Sequence, residues 1–449
     1  MKTFEYTKIN TEDDKFCKEL KNCDKEEFLD KLFRYLDRQK YSEALKRGHQ
    51  EIQTQNYVGT IKYKNFQLDI LPKMLKYGST EKEEDYKNVL NNLTFMLSYT
   101  KNLEIKATNT GKISESKNPF LEILIREYSQ SLFDCLKRLT PKKYVREEDN
   151  LNFMKGKLKF SENIRYNCSN QARFYCEFDE FSENNILNQL FLFVAICLKK
   201  VSQDSKNKKL LGFIINYYCD VDFVEFDRYK ADKIKLSKNQ EMFKKPFNLA
   251  KMFVQHSSVD LSRNRLENVT LLWDMNILFE EFICEIIKKH TKYNPKYQKG
   301  RRLLIDDYSK KKYGNTFIDM YVEKDGQKII LDTKYKLNSG EHNEFNNKDV
   351  YQIMTYCLIH DTKNAVLIYP LEKEDSLNSN TNKFYLNTEY ADIHKKEDIS
   401  TNMELFDNMY KLFSVQLNLK TDLRENLKSD DESINIAKHI EKQLDTLIS

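Results

Sequence analysis

Glycine and proline are scarce in this chain, ten and six among 449 residues. No flexible linker announces a domain boundary, so hydrophobic periodicity must divide the sequence. The nine cysteines are odd in number, and spacings such as Cys17 to Cys23 and Cys168 to Cys176 contain no CxxC pair. That argues against a zinc ribbon and a secreted disulfide framework, and reduced thiols in a cytoplasmic protein are expected. Long apolar runs are missing too. The longest, LFLFVAICL at 190–198, is about half of a bilayer span and reads as a buried helix. The opening MKTFEYTKINTEDDKF has no apolar core, so neither a signal peptide nor a membrane role is expected. A phosphate loop is absent, because TGKIS at 110–114 lacks the upstream glycine and a Ser or Thr directly after the lysine. No nucleotide is expected on this chain, and any NTP-driven work needs another protein. Charge of one sign is also lacking: 74 basic residues against 69 acidic ones give +5, so a nucleic-acid surface must be local.

What is present is first a pattern. The length suits two or three domains, each with its own core. Residues 26–46 recur at helical spacing, while YVGTIKY and FQLDILPK, within 57–73, alternate as two short strands joined at Lys64-Asn65. Residues 1–115 therefore predict a small α+β unit, closing with a helix that carries Tyr86, Val89, Leu90, Leu93, Met96 and Leu97. Apolar residues such as Leu121, Leu124, Ile125, Tyr128 and Leu132 then predict a helical middle region over 116–265. From 266 to 449 the pattern changes again. VTLLWDMNILFEEFICEIIKKH (269–290) reads as one helix, and RRLLI (301–305), TFIDMYV (316–322) and KIILDTKYK (328–336) read as strands. The last two close at Asp325-Gly326, a hairpin signal. A helix over 347–360 and a buried strand, NAVLIY at 364–369, complete an α-β-β-β-α-β order. The chain beyond 370 is polar, with a final helix expected at 431–447.

LDTKYK, at 331–336, puts an acid and a base on one face of an apolar strand, since Ile330, Asp332 and Lys334 alternate with Leu331 and Thr333. Asp319 lies between Ile318 and Met320 on the neighbouring strand of the same hairpin. A buried lone carboxylate is costly unless it is paired or binds a cation. Two held close repel each other, and a hard divalent ion such as Mg2+ relieves the repulsion while keeping several waters; Mn2+ can take its place. Lys334 can then hold a water and offset charge on a phosphate, the minimum apparatus for hydrolysing a phosphodiester. Glu280 shares its helix strip with Asn276, Ile283 and Ile287, which makes it the inward acid, whereas Glu281 turns away. An isolated D-x-K in a strand is more often an ordinary ion pair, so the constellation carries the reading. Between helix and hairpin, 292–314 interleave Lys292, Lys296, Lys299, Arg301, Arg302, Lys310, Lys311 and Lys312 with Tyr293, Tyr297, Tyr308 and Tyr313. Such a cluster suits a DNA track.

Together these features resemble the PD-(D/E)XK nuclease core, with Ile318 where the name puts proline and Asp332 in the D/E place. Gln352 and Tyr356, four residues apart on one helix face, resemble the RecB-like branch, where that pair borders the site and faces DNA. The blocks VGTIKYKNFQLDILPKM (58–74), YVREEDNLNFMKGKLKFSENIRYN (144–167), RFYCEFDEFSENNILNQLF (173–191), LLWDMNILFEEF (271–282), LDTKYK and DVYQIMTY (349–356) are similar, in order, to the McrC family. The resemblance implies the endonuclease subunit of a 5-methylcytosine-type restriction system. It also implies docking, through the N-terminal part, on an McrB-like AAA+ GTPase ring whose hydrolysis it stimulates, and cutting of modified double-stranded DNA. Asp319, Asp332 and Glu280 would hold the metal, with the Thr333 carbonyl a further oxygen; Lys334 would act on the attacking water; Gln352 and Tyr356 would support DNA. Two rivals stay open, an activator subunit with an idle nuclease site and a standalone RecB-like repair nuclease.

Overall fold

The computed structural model describes residues 1–14, 16–17, 24–64, 66–73, 83–100, 119–170, 172–255, 257–260, 265–305, 312–336, 347–371, 381–385, 410–417, 419, 422–431 and 435–448. The TGKIS stretch, Asn65, Lys310 and Lys311 lie outside them. The fold is mixed α/β. Its N-terminal sheet has five strands in the order Lys2–Phe4, Phe66–Leu71, Tyr57–Tyr63, Arg265–Asp274 and Ser257–Asp260. The hairpin Tyr57–Tyr63/Phe66–Leu71 is antiparallel, as its alternation predicts, and Lys64 turns the corner at φ +53°.

The hairpin's other partner corrects the single helix read over 269–290. Arg265–Asp274 is a strand paired with Tyr57–Tyr63, and only Met275–His290 is helical. The break falls at Asp274, whose carboxylate accepts from the Asn276 N–H and caps the helix. Gly59 permits the pairing: it sits at φ +132°, where a Cβ would meet the Leu271 carbonyl oxygen at 2.0 Å. Any other residue would push the strands apart. The helix expected over 26–46 also stops early. It spans Lys25–Arg38, after which Lys40 turns at φ +66° into Leu45–Arg47, part of a small sheet with Glu51–Thr54 and Lys8–Asn10. Phe28, Leu29, Leu32 and Leu36 of that helix share one buried cluster with Phe66, Leu68 and Ile70 of the hairpin. Each such side chain contributes about 1.5–3 kcal/mol when fully buried.

Expected helices occupy much of 119–255, namely Pro119–Leu136, Ile186–Val201, Ser205–Tyr217 and Lys244–Gln255, with the 190–198 run inside the second. The structure corrects the helical reading over 143–182. There Lys143–Leu151, Phe174–Ser182 and Lys157–Leu158 form an antiparallel sheet beside a short helix, Phe160–Asn167.

The C-terminal sheet has six strands in the order Lys296–Ile305, Lys312–Lys324, Gln327–Thr333, Asn364–Pro370, Lys411–Leu417 and Thr381–Tyr385, and the α-β-β-β-α-β order is present. Asp325 and Gly326, at φ +51° and +79°, close the hairpin. Gln327–Thr333 then runs parallel to Asn364–Pro370, with the helix Asn347–His360 as crossover. Met320, Val322, Leu331 and Val366 join the core of helix Met275–His290 on one face. Ile330, Leu367 and Tyr369 pack with Ile353 and Tyr356 of the crossover helix on the other. The polar tail has structural work: Lys411–Leu417 extends the sheet, and Ile436–Ile448 buries Ile440, Leu444 and Leu447 in the first of these cores. No described helix is long and apolar enough to cross a membrane, and the described cysteines are free.

The two sheets meet at Glu5, 1 % exposed, which accepts from the Lys73 N–H at 2.9 Å and the Tyr335 hydroxyl at 3.1 Å. Burial outweighs these donors and pushes its carboxyl from 4.5 up to about 7. The folded state therefore holds this proton more firmly than the unfolded chain. Stability from Glu5 is present in full below the unfolded value and is lost as pH rises through the folded one, by on the order of 3 kcal/mol. Urea denaturation of wild type and Glu5→Gln is expected to diverge between about pH 4 and pH 8, the variant gaining relative stability as pH rises. Parallel profiles would contradict this account of the contact.

Candidate active site

Gln327–Thr333 turns apolar at Ile329 and stays buried to its C-terminal end, where it carries Asp332. The Lys334 N–H donates to the Ile368 carbonyl at 2.9 Å, so the parallel ladder runs one residue past the strand and fixes the lysine's backbone. Its ammonium lies 2.6 Å from Asp332 Oδ2. Asp332 is 0 % exposed, yet neither of its carboxylate oxygens has a hydrogen-bond donor. The contact is an ion pair lying off the hydrogen-bond direction. Asp319 is oriented by Thr333, whose N–H and hydroxyl donate to Asp319 Oδ2 at 2.7 and 2.9 Å.

These groups act on one another. Burial, and then the charge of Asp319, raises the Asp332 carboxyl above its ordinary value against the pull of Lys334. Burial likewise raises Asp319, opposed by the two Thr333 donors and by Lys334. For Lys334 burial works downward, but Asp332, Asp319 and Asp349 outweigh it and hold the ammonium above its usual value. The Tyr356 phenol, raised first by its own burial, feels Asp332, Lys334 and Asp319. All three charged groups therefore gather beside the crossover helix, on the face where Tyr356 packs. Gln352 Nε2 donates to the Tyr356 hydroxyl at 2.6 Å, so the pair four residues apart is joined and turned toward the aspartates.

The profile of the family described as McrBC 5-methylcytosine restriction system component matches residues 52–370. The chain belongs to that family. Among solved structures, a chain of the refined half-complex from the tetradecameric assembly of Thermococcus gammatolerans McrB AAA+ hexamers with bound McrC has a similar fold. The TM-score is 0.71 at 19 % identity, over 99 % of this chain and 99 % of that one. A chain of the Thermococcus gammatolerans McrBC complex gives 0.50 at 22 % identity, over 65 % of this chain and 87 % of that one. At such identities the likeness is one of fold. A search of curated proteins returned no match.

The McrBC-family chain departs from the sequence reading at several side chains. Glu280 turns inward, its Oε1 buried, but meets Tyr297, whose phenol is raised by burial and then by the Glu280 charge and hydrogen bond. Tyr297 pairs with Met320 and packs in the core of Glu280's own helix, across the sheet from Tyr356. Within the expected DNA track, Lys292 is tied to Asp445 at 2.7 Å, the Tyr293 hydroxyl to the same carboxylate at 2.6 Å, and Lys296 to Glu323 at 3.3 Å. They hold the final helix and a strand pair together. Lys299, Arg301, Arg302 and Lys312 sit in the paired strands Lys296–Ile305 and Lys312–Lys324, the first at the sheet edge; only their backbone is described.

Asp349 was not singled out from the sequence. It is buried in the first turn of the crossover helix, where the helix dipole favours an acid. It binds Lys336 at 2.6 Å and accepts from the Tyr369 hydroxyl at 2.9 Å. An acid opening a helix was the available signal, but that it would face the motif strand depends on the parallel crossover.

The donors present fit a hard cation of the Mg2+ type. Among the described residues no three His, Cys, Asp or Glu side chains form a ready cage. Mg2+ asks only for one or two carboxylates and keeps its waters, and the buried Asp332 carboxylate has lone pairs to spare beyond its contact with Lys334. Asp332→Asn relieves the repulsion from Asp319 but gives up the ion pair with Lys334, so in EDTA it should melt within a few degrees of wild type. Mg2+ or Mn2+ should raise the melting temperature of wild type but leave that of the variant unchanged. Equal upward shifts for both would place the cation elsewhere.

Proposed function

We propose that this chain is the DNA-cutting subunit of its restriction system, a Mg2+-dependent endonuclease with a PD-(D/E)XK core that works with an McrB-like AAA+ GTPase ring. The observation that carries the reading is the gathering of Asp319, Asp332 and Lys334 at the end of one hairpin, a half-buried and a buried carboxylate with a single ammonium on the second. Asp319 and Asp332 would hold the metal, with the Thr333 carbonyl as a further oxygen, and the bound ion would supply Lewis-acid polarisation of the phosphoryl group. Thr333 keeps the Asp319 carboxylate from turning away. Lys334, anchored through its backbone beside the aspartates, would orient the attacking water and offset charge growing on the phosphate. Gln352 and Tyr356 meet the DNA backbone beside the site, and Lys299, Arg301, Arg302, Lys310, Lys311 and Lys312 supply positive charge along it. An idle site has no physical reason to hold two carboxylates this close around one ammonium, which disfavours the activator-only reading.

Docking on the ring falls to the N-terminal unit and the 143–182 sheet. Phe66, Ile70 and Leu71 are packed in cores, so contacts must come from exposed groups. The 143–182 sheet and its helix expose Tyr144, Phe153, Met154, Phe160, Ile164 and Phe181, a concentration of apolar surface that suits a protein partner.

Two outcomes follow. Asp332→Ala should reduce cleavage of 5-methylcytosine DNA by at least about 100-fold while partner GTPase stimulation persists, measured on the assembled complex with Mg2+. Cleavage equal to wild type would end the assignment. Phe160→Asp combined with Ile164→Asp should leave the melting temperature within a few degrees and abolish stimulation of the GTPase. Undiminished stimulation would remove this surface from the interface.

A further inference from the structure

The ILPK block and the LDTKYK block, 262 residues apart at Lys73 and Tyr335, touch in the structure. Lys73 Nζ donates to the Tyr335 carbonyl at 2.9 Å, and the same ammonium lies 4.6 Å from the centre of the Tyr335 ring and 5.0 Å from that of Tyr6. The Lys73 N–H donates to Glu5 Oε2, which also accepts from the Tyr335 hydroxyl. Glu5 in turn is held by its own N–H, which donates to the Leu71 carbonyl at 3.0 Å. Tyr335 is 4 % exposed and packs on Phe279 at 5.9 Å between ring centres. Lys73 thus grips both ends of the residue that follows Lys334, its ring and, through the carbonyl, the peptide between Tyr335 and Lys336. The backbone there leaves little slack: the Lys334 N–H is bonded to Ile368, and the Lys334 carbonyl accepts from Lys336 N–H at 2.8 Å.

We infer that Lys73 is a positioning residue for Lys334, fixing the residue after it so that the ammonium stays beside the aspartate pair, and that Glu5 and Tyr335 brace this contact. The inference rests on the nuclease reading for its catalytic consequence, but not for its structural one. Lys73 reaches no reacting atom. It acts through the Tyr335 backbone, which explains why a lysine of the N-terminal sheet points into the C-terminal one.

The test compares wild type, Lys73→Met and Lys73→Arg as full chains in complex with the AAA+ partner. Lys73→Met should exchange amide hydrogen about tenfold faster across 331–336 while the 57–71 hairpin keeps its protection. It should lower kcat for Mg2+-dependent cleavage of 5-methylcytosine DNA by about tenfold, with KM and GTPase stimulation unchanged. Lys73→Arg should restore both. Unchanged exchange at 331–336 in Lys73→Met overturns the inference, as does loosening that spreads through the hairpin with loss of melting temperature. Should the wild-type complex cut no DNA while the local change in exchange persists, the nuclease reading fails and the strut stands.

Discussion

Asp319 and Asp332 face each other across adjacent strands, both largely removed from water, with one ammonium in ion-pair contact. A buried charge in a protein carries an effective penalty of several kcal/mol even after relaxation, and here two like charges add their mutual repulsion. The fold can hold them because everything around them is fixed. Leu331, Val366 and Val415 are packed on one face of the sheet, and Ile330, Leu367 and Tyr369 on the other. Thr333 directs Asp319, and Lys334 is locked into the parallel ladder. A site that opposes local stability within a core that supplies it is the pattern expected where chemistry is done.

The supporting structure crosses the boundaries that the sequence suggests. The N-terminal sheet takes two of its five strands from 257–274, and the second of these runs directly into the helix beneath the candidate site. Asn92, in the helix Glu83–Tyr99, donates to the Leu419 carbonyl at 2.8 Å and accepts from the Leu423 N–H at 3.1 Å. Asp445 clamps Lys292 and Tyr293. The described part of the tail therefore braces the C-terminal sheet and the helix Met275–His290.

Local signals were legible. Asp325-Gly326 specifies a tight hairpin, the alternation in 328–336 specifies which residues share a face, and the spacing of Gln352 and Tyr356 specifies their contact. Features that depend on distant partners were not. VTLLWD at 269–274 continues without interruption into an apolar helix, and its strand state comes from pairing with residues more than 200 positions earlier; the capping aspartate was the one local clue. The 143–182 sheet hides its alternation because, among the residues whose burial is described, Cys176 and Phe178 are its buried apolar strand residues, while Tyr144 and Phe181 lie outside. Helix geometry turns Glu280 inward, as its buried Oε1 shows, but does not say that Tyr297 will meet it. Thr333 was considered for its carbonyl, whereas its N–H and hydroxyl are what grip Asp319.

The most direct test of the shared-cation account is anomalous diffraction from crystals of the chain soaked with Mn2+. The account predicts a peak within coordination distance of both the Asp319 and Asp332 carboxylates, with Lys334 drawn back from Asp332. A structure at saturating Mn2+ in which that pair stays intact, or in which the peak lies beside Glu280 across the sheet, would contradict it.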